Sequence, residues 1–107
     1  MQLKIDNDTR FSDVQRTFSN LYPYLKLEQG NRTGKNELTH KSDETEITVN
    51  LNGQNTIAKL EAELMNAYAT PIHVYRRSGS MWIGTSLTKD WTLEHQNKEG
   101  ELFSTHS

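Results

Sequence analysis

A strand-helix-strand pattern occurs twice in this chain of 107 residues, and the repetition constrains the fold more than any other feature. Sliding residues 1–22 onto residues 47–68, at an offset of 46 and without a gap, matches each apolar position of one copy to an apolar position of the other. The chain is therefore predicted to contain two units of the same shape. Matched pairs include Leu3 with Val49, Tyr22 with Tyr68 and, with one residue of adjustment, Leu27 with Val74.

The second unit shows this pattern most clearly. Apolar and polar residues alternate over residues 46–51, which predicts a strand with one buried face. Residues 57–68 carry apolar side chains at helical spacing, and Asn55 or Thr56 is the expected N-cap. Because Pro71 follows, the chain is expected to leave the helix and enter another strand.

In the first unit, Thr9 is the expected N-cap of the helix and Pro23 is expected to end it. A strand is predicted over residues 24–28. Residues 29–45 are polar, with one apolar residue, and are predicted to form a mobile loop between the units.

A hairpin is predicted after the second unit, with Ser78 and Gly79 as its two-residue loop. This register pairs Tyr75 with Trp82 and Val74 with Ile83. It sorts the side chains onto two faces, with Ile72, Val74, Met81 and Ile83 expected to be buried and His73, Tyr75 and Trp82 expected to share the other face.

Beyond the hairpin, Asp90 is expected to cap a short helix that continues to about Lys98 and stops at Gly100. Residues 101–107 are predicted to be a disordered tail. A chain of this length is expected to form one domain, over residues 1–100, because a second core would have too little surface to bury.

Two strand-helix-strand units joined by right-handed crossovers predict an α+β fold. The specific expectation is a ferredoxin-like β-α-β-β-α-β sandwich with an added C-terminal hairpin strand and a short helix. In that arrangement all strands share one sheet, and one face of the sheet is left uncovered.

The composition narrows the partners. With a net charge of −2 and a pI of about 6.1, the chain lacks the basic surface that nucleic acid or an anionic membrane requires of a main partner. No segment resembles a signal peptide or is long enough to span a bilayer. The absence of cysteine excludes disulfides and thiol chemistry and is consistent with a reducing compartment. A cytoplasmic location is expected.

The segment MWIGTSLTKDWTLEHQNKEG, which follows a helix and a strand, resembles the C-terminal part of small uncharacterised proteins of Bacteroidetes-type bacteria. The resemblance covers about residues 46–100. It implies a bacterial cytosolic setting and no particular activity.

The uncovered sheet face is the best candidate for a binding surface. His73, Tyr75 and Trp82 are expected there, with Lys4 on the same sheet and Trp91 nearby. Paired aromatic residues bind peptides or rings by stacking. The alternatives are that Trp91 packs on Trp82 or that the aromatic pair only stabilises the hairpin.

These patterns predict a non-enzymatic module, a monomer or weak homodimer, that binds another protein or its own copy. No metal ligand set is predicted, because the four histidines, His40, His73, His95 and His106, lack ligand spacing. No cofactor is predicted, and no catalytic residue is predicted because the sequence offers only solvated single residues. The alternative is a small-molecule-binding or enzymatic domain with a cleft between the sheet and the C-terminal helix, in which His73 or His95 is the acid-base group.

Overall fold

Strands and helices follow one another in the chain largely where the apolar periodicity predicts them. The computed structural model describes residues 1–6, 8–30 and 46–105. Apart from its first two residues, the expected loop 29–45 lies outside these ranges. The elements are β1 (Gln2–Asp6), α1 (Phe11–Leu21), β2 (Leu25–Gln29), β3 (Glu46–Asn50), α2 (Ile57–Tyr68), β4 (Ile72–Ser78), β5 (Met81–Gly84) and α3 (Leu93–Thr105).

The strands form two antiparallel sheets in the described ranges. One sheet pairs β1 with β3, and the other has the order β2-β4-β5. The α+β class is therefore confirmed, but the strand order differs from the expected ferredoxin-like sheet, in which β2 would pair with β3 and β4 with β1. Alternating polarity specifies which face of a strand is buried, and it does not specify which neighbour accepts its hydrogen bonds.

The two repeat units pair through their counterpart residues. Leu3 lies opposite Val49, its match in the repeat, and Leu27 lies opposite Val74 in the same way. In an antiparallel pair, a local two-fold axis passes through any two residues that face each other. Each unit contributes one strand to each sheet, and in each sheet one pair of facing residues is also a matched pair of the repeat.

Two matched tyrosines also cross between the units. The Tyr22 hydroxyl donates a hydrogen bond to the Leu51 carbonyl oxygen at 2.6 Å, and the Tyr68 hydroxyl donates to the Thr9 carbonyl oxygen at 3.5 Å. Burial raises the pKa of the Tyr22 hydroxyl, and the Glu94 carboxylate raises it further. The neutral, donating form of Tyr22 is therefore favoured in the folded state.

Both sheets and all three helices contribute to one core. The apolar stripes of α1 and α2 are buried, and Leu93 adds the first residue of α3. Within the described ranges no helix is both long and apolar enough to cross a lipid bilayer. The buried apolar residues are Ile5, Phe11, Val14, Phe18, Leu25, Leu27, Ile47, Val49, Leu51, Ile57, Leu60, Leu64, Ala67, Tyr68, Ile72, Val74 and Leu93.

The N-termini of α2 and α3 cap each other. The Ile57 amide donates to the Trp91 carbonyl oxygen at 3.1 Å, and the Leu93 amide donates to the Asn55 carbonyl oxygen at 2.9 Å. Each helix thereby satisfies amides that the other would leave without a partner. Thr56 is the N-cap of α2, as predicted.

Two other expected caps are wrong. The Thr9 hydroxyl bonds to Asp6, and Arg10 occupies the N-cap position of α1 without a side-chain bond. At α3, the Thr92 hydroxyl accepts from the His95 amide at 3.1 Å, where Asp90 was expected to cap. Helix α1 therefore begins one residue later, and helix α3 two residues later, than the expected caps predict.

Helix α3 continues through Gly100, which was expected to end it. Gly100 is buried, and a Cβ atom built on it would lie 2.8 Å from the Cβ of Tyr24 and 3.1 Å from the Cγ of Arg76. This glycine therefore allows close packing of α3 on the β2-β4-β5 sheet. Helix α3 consequently extends past the expected end at Lys98.

We expect Gly100→Ala to lower the free energy of unfolding by about 1–2 kcal/mol, because overpacking at the helix-sheet contact outweighs the better helix propensity of alanine. Urea unfolding followed by circular dichroism measures this change. Lys98→Ala, at an exposed position of the same helix, is the control and should change stability by less than about 0.5 kcal/mol. A Gly100→Ala protein as stable as the unmodified chain would contradict the close packing.

Candidate functional site

One face of the β2-β4-β5 sheet carries polar and aromatic side chains, and no described helix packs on it. The opposite face holds Leu27 and Val74, which are fully buried against the helices. Strand alternation places the predicted residues His73, Tyr75 and Trp82 together on the polar face. We call this surface the open face, and it consists of Lys26, Glu28, His73, Tyr75, Arg77, Trp82 and Gly84.

Two cations flank Trp82 on the open face. The Lys26 ammonium nitrogen lies 4.8 Å from the centre of the indole ring, and the central guanidinium carbon of Arg77 lies 5.8 Å from it. Lys26 also pairs with Glu28 at 3.4 Å. Because the indole is only half-buried, it presents a rigid ring with two positive charges close to it.

The hairpin register differs from the predicted one by two residues. Its loop consists of Gly79 and Ser80, so Tyr75 faces Gly84, and Trp82 faces Arg77. Gly79 has a φ of 64° at the first loop position, a conformation that two-residue hairpin loops require and that glycine adopts without strain. A shift of two residues keeps every side chain on its predicted face.

Two residues of β5 that were predicted to be buried are exposed. Met81 is 66% exposed and Ile83 is 36% exposed. In the actual register they pair with Ser78 and Arg76, so they lie nearer the hairpin loop than the buried end of β4. The hairpin consequently presents apolar side chains to solvent on the face opposite Trp82.

The remaining two predicted surface residues lie elsewhere. Lys4 is on β1 in the other sheet, opposite Thr48 and 3.9 Å from a carboxylate oxygen of Glu46. Trp91 precedes α3 and packs against His95, with 4.3 Å between ring centres. The structure therefore brings together three of the five predicted residues, and Trp91 does not cover Trp82.

A second cluster, which the sequence analysis missed, surrounds Glu61 on α2. Its carboxylate accepts a hydrogen bond from the Val74 amide at 2.9 Å and lies 3.3 Å from the Lys89 ammonium. The Nδ1 atom of His73 is 3.9 Å away. Mutual capping of α2 and α3 positions Lys89, because its carbonyl oxygen accepts from the Ala58 amide at 2.9 Å.

Beyond the end of β5, side chains at the Glu61 cluster satisfy backbone hydrogen-bonding groups of β4. The Val74 amide donates to Glu61, and the Val74 carbonyl oxygen accepts from the Thr85 hydroxyl at 2.8 Å. These two side chains replace the backbone partners that a longer β5 would supply. A structural role is therefore sufficient to explain a glutamate that is only 8% exposed.

Helical periodicity was the available signal for Glu61. It lies four residues after Ile57 and three before Leu64, which places it on the buried stripe of α2. A charged residue on such a stripe requires a partner.

Two shallow depressions adjoin the Glu61 cluster. One measures about 210 Å³ and is bordered by His73, Ser86 and Lys89, and the other measures about 250 Å³ and is bordered by Met65 and Pro71. Small-molecule pockets usually measure about 300–1,000 Å³. Both depressions are below that range.

The histidines of the described ranges have separate surroundings. His73 faces Glu61, whereas His95 lies on α3 with its Nε2 atom 3.7 Å from Glu99. Within those ranges no three histidine, aspartate or glutamate side chains converge in a way that could hold a metal ion. His40 and His106 lie outside the described residues.

Comparison of the chain with protein-family models, curated proteins and solved structures finds no match in any of the three. The resemblance to small bacterial proteins over residues 46–100 therefore stays a prediction. The open face and the Glu61 cluster are the features of the described residues that bear on function.

We expect Glu61→Ala to lower the free energy of unfolding by about 1–3 kcal/mol, because it leaves the buried Val74 amide without an acceptor. Glu61→Gln keeps an acceptor oxygen and should cost clearly less. Urea unfolding of both variants measures the difference, with Asn66→Ala on the exposed side of α2 as the control. Equal losses for the alanine and glutamine variants would contradict the proposed role of the carboxylate oxygen.

Proposed function

We propose that the chain is a protein-interaction module whose binding surface is the open face. One observation carries the proposal: Trp82 is half-buried, with Lys26 and Arg77 near its ring, on a sheet face that no described helix covers. Tryptophan, tyrosine and arginine are the residues that most often dominate binding energy in protein interfaces. Trp82, Tyr75 and Arg77 occur together here.

The arrangement of the sheet supports a rigid surface. On β2 and β4 the opposite sheet face is buried against the helices, so the backbone under Tyr75 is held by the core. Trp82 lies on β5, which is held by its pairing with β4. A rigid aromatic surface loses little conformational entropy when a partner binds. The partner is another protein or a second copy of this chain. In isolation the chain would accordingly be a monomer or a weak homodimer.

The alternative is a small-molecule-binding or enzymatic domain, and one observation favours it. His73, Ser86 and Lys89 border a depression beside the buried Glu61 carboxylate. Its volume of about 210 Å³ and the structural bonds of Glu61 weigh against this alternative. Under the protein-interaction proposal, Glu61→Gln should leave partner binding unchanged.

Site-specific photo-crosslinking tests the proposal in cells that make the protein. A photoreactive phenylalanine analogue is placed at Tyr75 on the open face, and at Leu21, an exposed position of α1, as the control. We expect a discrete adduct from position 75 and none from position 21. The mass of the adduct distinguishes a foreign protein from a second copy of the chain.

The identified partner is then titrated against purified variants by calorimetry. Trp82→Ala should weaken binding roughly tenfold or more, because truncation of a central tryptophan removes a large part of the binding energy. Leu87→Ala is the matched control, since Leu87 is 96% exposed and lies outside the open face. Equal adducts from both positions, or unchanged affinity of the Trp82→Ala protein, would contradict the proposal.

A further inference from the structure

We infer that Arg76 and the outer edge of β5 take up an extended segment of another protein that carries a glutamate or aspartate. The inference rests on the proposed function and specifies the chemistry of its partner. It concerns the edge of the sheet and the face opposite Trp82. Its test can therefore fail separately from that of the open face.

The outer edge of β5 is available for strand pairing. Strand β5 pairs with β4 along one edge, and the described ranges supply no strand for the other. Met81 and Ile83 are exposed side chains of this strand, and Phe103 of α3, which is 51% exposed, lies near Arg76 on β4. Extended peptides commonly bind such edges by adding a strand, with alternate side chains entering neighbouring pockets.

Arg76 of β4 lies opposite Ile83 of β5, and the described residues use only part of its hydrogen-bonding capacity. Its central guanidinium carbon is 5.5 Å from the ring centre of Phe103 and 5.9 Å from that of Trp91. One terminal nitrogen donates to the Gln96 side-chain oxygen at 3.3 Å. The Nε atom is buried and has no hydrogen-bond partner among the residues that the structure describes. A buried donor of this kind requires an explanation.

Within the described part of the chain, the charge of Arg76 also lacks a partner of opposite sign. Lys26 and Arg76 are the two cationic residues of the described ranges that are not exposed. Lys26 pairs with Glu28, whereas no carboxylate in those ranges lies within 4 Å of Arg76. Two aromatic rings and one neutral amide compensate only part of the lost hydration of a guanidinium. A carboxylate from a partner would supply the missing charge.

The distances suit an added strand. Ile83 lies opposite Arg76 on β5, so the next strand outward would be two strand spacings, about 10 Å, from β4. Extended arginine and glutamate side chains together span that distance. A guanidinium binds a carboxylate through two parallel hydrogen bonds, and since Nε is buried, the two terminal nitrogens of Arg76 would supply them. Apolar residues of the partner would contact Met81, Ile83 and Phe103.

Charge distinguishes a foreign partner from a second copy of this chain. Strand β5 has the sequence Met-Trp-Ile-Gly and contains no acidic residue. Two copies joined at this edge would therefore bring no carboxylate to Arg76 from β5. They would also bring the cations around Trp82 of both copies onto the same side of the joined sheet. The edge consequently fits an acidic partner.

A displayed library of random eight-residue peptides tests this inference, because selection from it requires no identified partner. The purified full chain selects binders, and the recovered peptides are sequenced. We expect glutamate or aspartate to be enriched about fivefold or more at one position flanked by apolar residues. Backbone amide shifts of Met81–Gly84 on titration with a recovered peptide should locate binding at the β5 edge.

Two variants connect the acidic preference to Arg76. Selection with Arg76→Gln should lose the enrichment, and a recovered acidic peptide should bind this variant roughly tenfold or more weakly. Arg76→Lys keeps the charge and should retain part of the enrichment, which guards against a folding defect of the glutamine variant. Arg16→Gln, at an exposed position of α1, is the control and should retain the enrichment.

Several results would overturn the inference. These are recovery of no peptide, recovery of peptides without acidic residues, or an acidic preference that survives in Arg76→Gln. Amide shifts confined to the open face around Trp82 would also overturn it while supporting the proposed function. Dimerisation of the chain through β5, seen by sedimentation and independent of Arg76, would assign the edge to a second copy.

Discussion

Pairing of each repeat unit with its counterpart is the constraint on which the other features depend. A strand needs a neighbour to satisfy its backbone amides and carbonyls, and β1 and β2 of the first unit do not pair with each other. They pair with β3 and β4 of the second unit, at registers in which Leu3 faces Val49 and Leu27 faces Val74. Neither unit can form its sheets alone, so the two units fold as one body.

The same pairing determines where the candidate surfaces lie. Since β2 pairs along one edge of β4, only the other edge remains for β5, and β5 leaves that edge at Gly84. Glu61 and Thr85 then complete the backbone bonds of Val74 beyond the end of β5. Placing β4 in the middle also brings Lys26 of β2 and Trp82 of β5 onto one face. The open face is thus a consequence of the interlocked repeat.

Apolar periodicity was sufficient to predict the elements and, except for β5, their buried faces. Periodicity located the strands and the first two helices, and it placed His73, Tyr75 and Trp82 on a common face. It could not specify the partner of β2, because the ferredoxin-like order and the observed order bury the same side chains. Periodicity could not specify the hairpin register for a similar reason, since a shift of two residues leaves each side chain on the same face.

The remaining differences depend on contacts that local patterns do not contain. Gly100 resembles a helix stop, yet its role is to let α3 approach Tyr24 and Arg76 closely. Glu61 lies on a buried stripe because Lys89 and the Val74 amide, both distant in sequence, compensate its charge. The surroundings of Arg76 likewise come from distant residues, since Phe103 of α3 and Trp91, which precedes α3, lie near its guanidinium.

Nuclear Overhauser effects between backbone protons of the strands test the counterpart pairing most directly. The account predicts cross-strand contacts of Leu27 with Val74 and of Leu3 with Val49, with neighbouring contacts in antiparallel order. In the ferredoxin-like order, β2 would instead show backbone contacts with β3. Contacts between residues 25–29 and residues 46–50, in place of those with β4, would contradict the account.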